Sequence, residues 1–306
     1  MKAMKWLAAT VAIFSSAAAF GQAKIVLGHT GIADYAAAYI AQEEGFFKKR
    51  GVDVEFQQVF GPALAPGLQS GSMQVTTMTP ASFLLAVDGG LKFVAVANTT
   101  ASVKTDKHYA LVAKTGSNIS SVKDLVGKKV GVPGLGLTLH IMAKKALIDQ
   151  GIDASKVDFI EVPFAQLNDV LRGGGVDAVA TAEPFLGRTV QAKVGSVVEY
   201  FFEKLPEETS PVFYVSSADW VAKNKDALAR FRLALADAAQ FAETNPDKVR
   251  PIIGKFVKVP PDVLAAQPLP RLSPQLHEPQ VVFWINTLSQ QSMLKTKLQA
   301  ADIVSK

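Results

Sequence analysis

The feature that most constrains this chain is a rhythm: short apolar runs alternate with helical patterns, and the whole alternation is played through twice. Residues 25–27, 52–59, 75–78 and 91–97 are apolar or alternating runs of strand length, separated by helix signals. Asp34 stands where a cap is expected before an apolar stripe of Tyr35, Tyr39 and Ile40. Gly71 closes a second helix, shortened so that Pro66 falls in its first turn. Thr79-Pro80 opens a third, with Thr79 as cap and Pro80 at the first helical position, where no N–H is needed.

A polar stretch at 99–107 interrupts the pattern, which then restarts. Strands are expected at 109–114, 129–132, 157–162 and 178–181. Ser121 to Asp124 has the spacing of a capping box before Leu125. The loop 133–138 leads into a helix that runs to Gly151, a helix at 164–172 stops at the triple glycine 173–175, and Glu183-Pro184 starts another. A strand at 213–216 follows Pro211, where the chain would cross back. Residues 219–243 and 280–298 have helical patterns, with Asn245-Pro246 as a break and several prolines between them. Strands alternating with helices in this way imply an α/β fold of two doubly wound sheets.

The N-terminus has the form of an export signal. Lys2 and Lys5 precede a short apolar run at 6–14, and Gly21-Gln22-Ala23 resembles a cleavage site, so 1–23 is expected to be removed and Lys24 to begin the mature protein. There is no cysteine, which excludes thiol nucleophiles, Cys-based metal sites, disulfides and a lipid-anchored N-terminal cysteine. The net charge of +5 comes from short basic clusters mixed with acids, a solvated surface that gives no nucleic-acid face. The four histidines, His29, His108, His140 and His277, have no zinc-ligand spacing, and neither a G-x-S-x-G elbow nor a Walker loop occurs. No metal, cofactor or catalytic residue is called for.

Four segments carry a resemblance. Residues 41–55 (AQEEGFFKKRGVDVE), 68–71 (LQSG), 122–132 (VKDLVGKKVGV) and 170–178 (VLRGGGVDA) occur in this order. Together they resemble the ABC-transporter solute-binding proteins of the sulfonate, nitrate, taurine and thiamine-precursor group. The resemblance implies a type II periplasmic-binding-protein fold, with two doubly wound lobes joined by two hinge crossings. Lobe one would comprise 24–108 and 211–306, and lobe two 109–210. It further implies a monomeric, non-enzymatic periplasmic protein that closes on a small molecule and delivers it to an ABC permease in the inner membrane. A periplasmic enzyme or a sensor-linked receptor on the same fold is the alternative. The absent cysteines count against the thiamine-pyrimidine synthases, whose motif is cysteine-rich, and against porphobilinogen deaminase, which holds its cofactor through cysteine.

In open α/β sheets ligands bind beyond the carboxyl ends of the strands, where helix N-termini supply free N–H groups. The expected contacts are therefore His29, Thr30 and Tyr35 after the first strand, Gly61 after the second, Thr79, Ala81 and Ser82 after the third, and Asn98 after the fourth. The second half would contribute Gly136, Leu137 and Thr138, with Glu183 and Phe185 further on. Thr79, Ser82 and Glu183 serve equally well as helix caps, and Tyr35 and Phe185 as core. Relatives often carry serine or threonine in the loop where this chain has Leu135, Leu137 and Leu139. That substitution points to a small organic anion, a carboxylate or sulfonate with an apolar or aromatic body. N-terminal sequencing of the exported protein is expected to begin at Lys24; retention of residues 1–23 would contradict the export reading.

Overall fold

The computed structural model describes residues 23–305 except 60, 104, 106 and 259, so the expected export segment lies outside the described residues save for Ala23. In chain order the first elements are β1 (Ala23–His29), α1 (Ala36–Glu43), α2 (Phe46–Lys49), β2 (Val52–Gln58), α3 (Leu64–Ser70), β3 (Val75–Met78), α4 (Pro80–Asp88) and β4 (Phe93–Asn98). The second series is β5 (Tyr109–Lys114), β6 (Lys129–Val132), α5 (Thr138–Ile148), β7 (Asp158–Glu161), α6 (Phe164–Gly173), β8 (Ala178–Ala182), α7 (Phe185–Gln191) and β9 (Gly195–Tyr200). The chain then returns through β10 (Phe213–Ser217) to α8 (Ala218–Lys223), α9 (Lys225–Thr244), α10 (Pro246–Phe256), α11 (Pro261–Ala266), α12 (Glu278–Gln290) and α13 (Ala300–Ile303).

The strands form two five-stranded sheets of the same design, ordered β2-β1-β3-β10-β4 and β7-β6-β8-β5-β9. In the first, β10 runs antiparallel to both β3 and β4 while β1 is parallel to β2 and β3. In the second, β5 runs antiparallel to β8 and β9 while β6 is parallel to β7 and β8. Each antiparallel strand is the one the chain enters immediately after crossing from the other sheet. Because β5 and β10 begin at the edge where their neighbours end, both crossings run from the carboxyl edge of one sheet to the carboxyl edge of the other. The two carboxyl edges therefore face each other.

The crossings are bonded to one another. Ser102 N–H donates to Thr209 O (2.9 Å) and Glu208 N–H to Ser102 O (3.1 Å), while Thr99 Oγ1 donates to Val212 O (2.9 Å). The segment before α12 lies beside them, with Asn98 N–H donating to Pro274 O (3.0 Å) and Ala101 N–H to Arg271 O (3.1 Å). Trp284 of α12 is fully buried and its indole N–H donates to Ser210 O at 2.8 Å. One apolar cluster extends from Phe83, Leu84 and Trp284 beside the first sheet to Ile141, Met142 and Leu147 beside the second.

Three parts of the architecture depart from the sequence expectation. β9 is not anticipated, because its valines and tyrosine are only half-buried at a sheet edge and polar residues interrupt the alternation. The helix expected at 219–243 divides at Asn224, which leaves helical geometry (φ −130°, ψ 36°) and donates from its side-chain Nδ2 to Trp220 O at 2.8 Å. The final helix stops at Gln290 instead of 298, in a turn where Ser292 takes φ 55° and Met293 N–H donates to Leu288 O (3.0 Å). Asp88, at the end of α4, accepts from the N–H groups of Lys295 (2.9 Å) and Thr296 (2.8 Å) and from the Thr296 hydroxyl (2.6 Å), drawing the tail away from the helix axis. At three other turns the expected chemistry is present. Thr79 caps α4, Gly71 ends α3 at φ 78°, and the Ser121–Asp124 capping box opens a short 3₁₀ turn.

Trp284→Ala would leave a large void and an unpaired carbonyl beside the crossings. It is expected to lower unfolding stability by about 3–5 kcal/mol, measured by urea denaturation; a loss below about 1 kcal/mol would contradict this bracing role.

Candidate functional site

The facing carboxyl edges bring the expected contacts into four groups. The first lies beyond β1 and β2. Thr30 Oγ1 and the Tyr35 hydroxyl share a hydrogen bond of 2.9 Å, and a side chain at Gly61 would meet Thr30 Cγ2 at 3.9 Å, so Thr30, Tyr35 and Gly61 are neighbours. His29 is only 3% exposed and lies edge-on to Tyr35, Tyr39 and Phe56, with ring centroids 5.5–6.1 Å away. Burial lowers its pKa to about 4 and raises that of Tyr35 to about 12, so both are neutral near pH 7. His29 is thus an uncharged wall behind Thr30 and Tyr35.

Asp34 has a role the sequence did not reveal. Ile32 and Tyr35 occupy the flanking cap positions and make no side-chain cap. The Asp34 carboxylate instead accepts from Thr100 Oγ1 (3.0 Å) in the first crossing and from the Tyr109 hydroxyl (2.8 Å) at the start of β5. It links the loop after β1 to the other sheet.

The second group opens α4. Thr79 Oγ1 accepts from Ser82 N–H (3.3 Å) and lies 2.9 Å from Ser82 Oγ, while Pro80 has no N–H to offer. The Ala81 side chain is fully buried, which leaves its amide as the unspent donor of this turn. Asn98 is placed differently from the other expected contacts. It is fully buried, and its Oδ1 accepts from Thr99 N–H (2.9 Å) and from the Ser210 hydroxyl, so it joins the two crossings.

The third group is the loop before α5. Gly136 has φ +75°, which the turn requires, and a side chain at Gly134 would press on the Leu137 side chain, with Cδ1 at 2.5 Å. Of the three leucines, Leu135 is 51% exposed and Leu137 half-buried, whereas Leu139 belongs to the core. Thr138 is 5% exposed and its hydroxyl has no hydrogen-bond partner among the described residues. In the fourth group Glu183 Oε2 accepts from Gly187 N–H (3.1 Å), a cap on α7, and burial raises the carboxyl pKa against that bond. Phe185 stacks on Phe164 at 5.2 Å, tying the starts of α7 and α6.

Two shallow depressions of about 500 and 590 Å³ lie away from these groups, beside Phe56 and Phe256 and beside Phe46 and Phe241, and neither borders an expected contact. No group of three or more His, Asp or Glu among the described residues is arranged to hold a metal, and no described helix is long and apolar enough to cross a membrane.

Comparison with known proteins bears on this arrangement. The profile of the family described as NMT1/THI5 like matches residues 32–249. A Brucella abortus (strain 2308) protein named as a binding protein is 28% identical over 235 residues, which span 74% of this chain and 70% of that relative. Among solved structures, the periplasmic aliphatic sulphonate binding protein SsuA from Escherichia coli aligns with a TM-score of 0.78 at 17% identity, over 92% of this chain and 97% of its own. The periplasmic nitrate-binding protein NrtA from Synechocystis PCC 6803 aligns with a TM-score of 0.76 at 16% identity, over 90% and 83%. These likenesses establish the type II periplasmic-binding-protein fold.

The buried histidines give a pH dependence. His29 and His140 are both lowered to about 4, so the unfolded chain takes up their protons first as pH falls through 6.5. Their contribution is complete above pH 6.5 and is lost progressively towards pH 4. Glu183, raised by burial, acts in the opposite sense nearby. The histidine share is therefore read as a difference. His29→Asn is expected to show a shallower fall in urea midpoint between pH 7 and 4.5 than the wild type, and equal slopes would contradict the assignment.

Proposed function

The chain belongs to the NMT1/THI5-like family, and from that membership we propose that it is the substrate-binding component of an ABC importer, closing on a small solute between its two sheets. The observation that carries this reading is the strand that follows each crossing, which turns the carboxyl edges of the two sheets towards each other. Lobe one is assigned to 24–108 and 211–306 and lobe two to 109–210, with the paired crossings as the hinge. Closure about a mutually bonded pair of crossings is a hinge motion, stabilised by whatever spans the gap. The protein is exported, acts as a monomer in the periplasm and delivers its cargo to a permease in the inner membrane.

The cargo we assign is a small organic anion with an apolar or aromatic body. Thr30, Tyr35, Gly61, Ala81, Ser82 and Asn98 supply lobe one's contacts, with His29 behind them and Thr79 shaping the α4 turn; the buried Nδ2 of Asn98 has no partner among the described residues. Thr138, Gly136, Leu137, Glu183 and Phe185 supply or frame those of lobe two. None of these side chains is Lys or Arg. The negative group would be held by helix N-terminal amides and hydroxyls, as partial charges can hold an oxyanion. Leu137, half-exposed Leu135 and the Phe164–Phe185 stack give the body an apolar surface.

A thermal-shift panel of taurine, longer alkanesulfonates, aromatic carboxylates, nitrate and pyrimidines tests the assignment. The cognate ligand at a hundred times its Kd is expected to stabilise the native state by about 2.7 kcal/mol, and to be recovered unchanged. Stabilisation by nitrate alone would overturn the organic-anion assignment. Conversion of the ligand to product would overturn the binding reading itself.

A further inference from the structure

The loop before α5 spends its own donors. Leu135 N–H donates to Glu161 Oε2 (3.3 Å), Leu137 N–H to Gly134 O (3.3 Å), and Gly136 N–H to His140 Nδ1 (2.8 Å). The first bond within α5 is Ile141 N–H to Leu137 O (3.0 Å), so helix geometry leaves the amides of Thr138, Leu139 and His140 without an intrahelical acceptor. Beside them is the Thr138 hydroxyl, nine-tenths buried and unpartnered among the described residues. A buried hydroxyl without a partner is costly unless something completes it.

We propose that His140 is a positioning residue of the cleft: its Nδ1 accepts the Gly136 N–H, fixes the glycine turn and withdraws that donor, so that the second lobe meets an oxyanion through the Thr138 hydroxyl and the first-turn amides of α5. The inference deepens the reading of the cleft as a small-anion site and rests on it. For Nδ1 to accept, the ring proton must sit on Nε2, a tautomer assigned from this bond. The surroundings favour the neutral ring. Burial is the larger cause of the lowered pKa and Lys144, one turn along α5, adds to it. From β7, Phe159 meets the ring edge-on with centroids 4.7 Å apart, and Glu161 at the end of that strand is bonded to Leu135 N–H. Protonation of Nδ1 would set a donor against the Gly136 N–H and release the turn.

The test uses ¹⁵N-labelled full-length mature protein without ligand, with His140→Asn and His140→Phe variants. Asn places an acceptor where Nδ1 stands; Phe keeps a ring and removes the acceptor. Gly136 amide exchange is expected to quicken by about tenfold in His140→Phe, the scale of one lost hydrogen bond, and to stay near wild type in His140→Asn. The Gly136 amide shift should titrate near pH 4 in the wild type and lose that step in His140→Asn. Unchanged exchange in a folded His140→Phe protein, or a Gly136 shift that ignores pH from 3 to 6 in the wild type, would overturn the role. If His140→Phe does not fold, the titration of wild type against His140→Asn decides. With benzenesulfonate as probe, affinity is expected to fall about tenfold in His140→Phe and to recover in His140→Asn; equal affinities in all three proteins would also overturn it. Failure of every panel anion to bind the wild type would instead sink the anion reading, while the ligand-free exchange would still decide whether His140 holds the turn.

Discussion

One antiparallel strand in each sheet governs the rest of the molecule. A sheet of parallel strands collects its carboxyl ends, loops and helix N-termini along one edge. Had β5 and β10 been parallel to their neighbours, each crossing would have had to travel to the opposite edge before entering its sheet. Because they run the other way, the chain leaves one carboxyl edge and enters the next sheet at its carboxyl edge. The facing edges, the paired crossings and the convergence of loops from both sheets follow from that single reversal.

The crossings sit among buried polar groups that bond to one another, with the Asn98 Nδ2 left without a partner among the described residues. Asn98, Thr99, Ser102, Thr209 and Ser210 are almost wholly buried, and most of their polar atoms bond across the two segments or to neighbouring backbone. Buried polar groups paired in this way define a geometry, since unpaired alternatives are penalised. Trp284 and the tail before α12 brace the same region, while Asp34 joins it to the loop after β1. A movement at the crossings would therefore be felt where Thr30 and Tyr35 stand. This connection gives a physical route from ligand contact to the relative placement of the sheets.

Much of this was legible in the sequence because local rules and tertiary needs agreed. Thr79-Pro80 suited the start of a helix, Gly71 suited a helix end at positive φ, and the strand at 109–114 had a clean apolar pattern. The failures came where partners far along the chain decide. Asp34 looks like a cap until Thr100 and Tyr109 claim it, and the last long helix ends in a turn with Ser292 at positive φ, beyond which Asp88 holds residues 295 and 296. Asn98 was expected only at the ligand, and the sequence did not show that its Oδ1 would also accept from Ser210 across the crossings while its Nδ2 is left without a partner among the described residues. His140 carries no local signal beyond its place one helical turn after a glycine. Only the folded turn shows which amide it takes.

The central claim is that the two sheets close on a solute about the paired crossings. The absence of native cysteine allows clean spin labelling at Gln57→Cys, near the carboxyl end of β2, and Gln166→Cys, in the first turn of α6. Both positions are exposed, the first on the edge strand of its sheet and the second at the start of the helix that follows the other sheet's edge strand. The label-to-label distance distribution, measured by double electron–electron resonance with and without a solute shown to bind, is expected to shift to a shorter and narrower form at saturation. An identical distribution in the free and saturated protein would contradict the account.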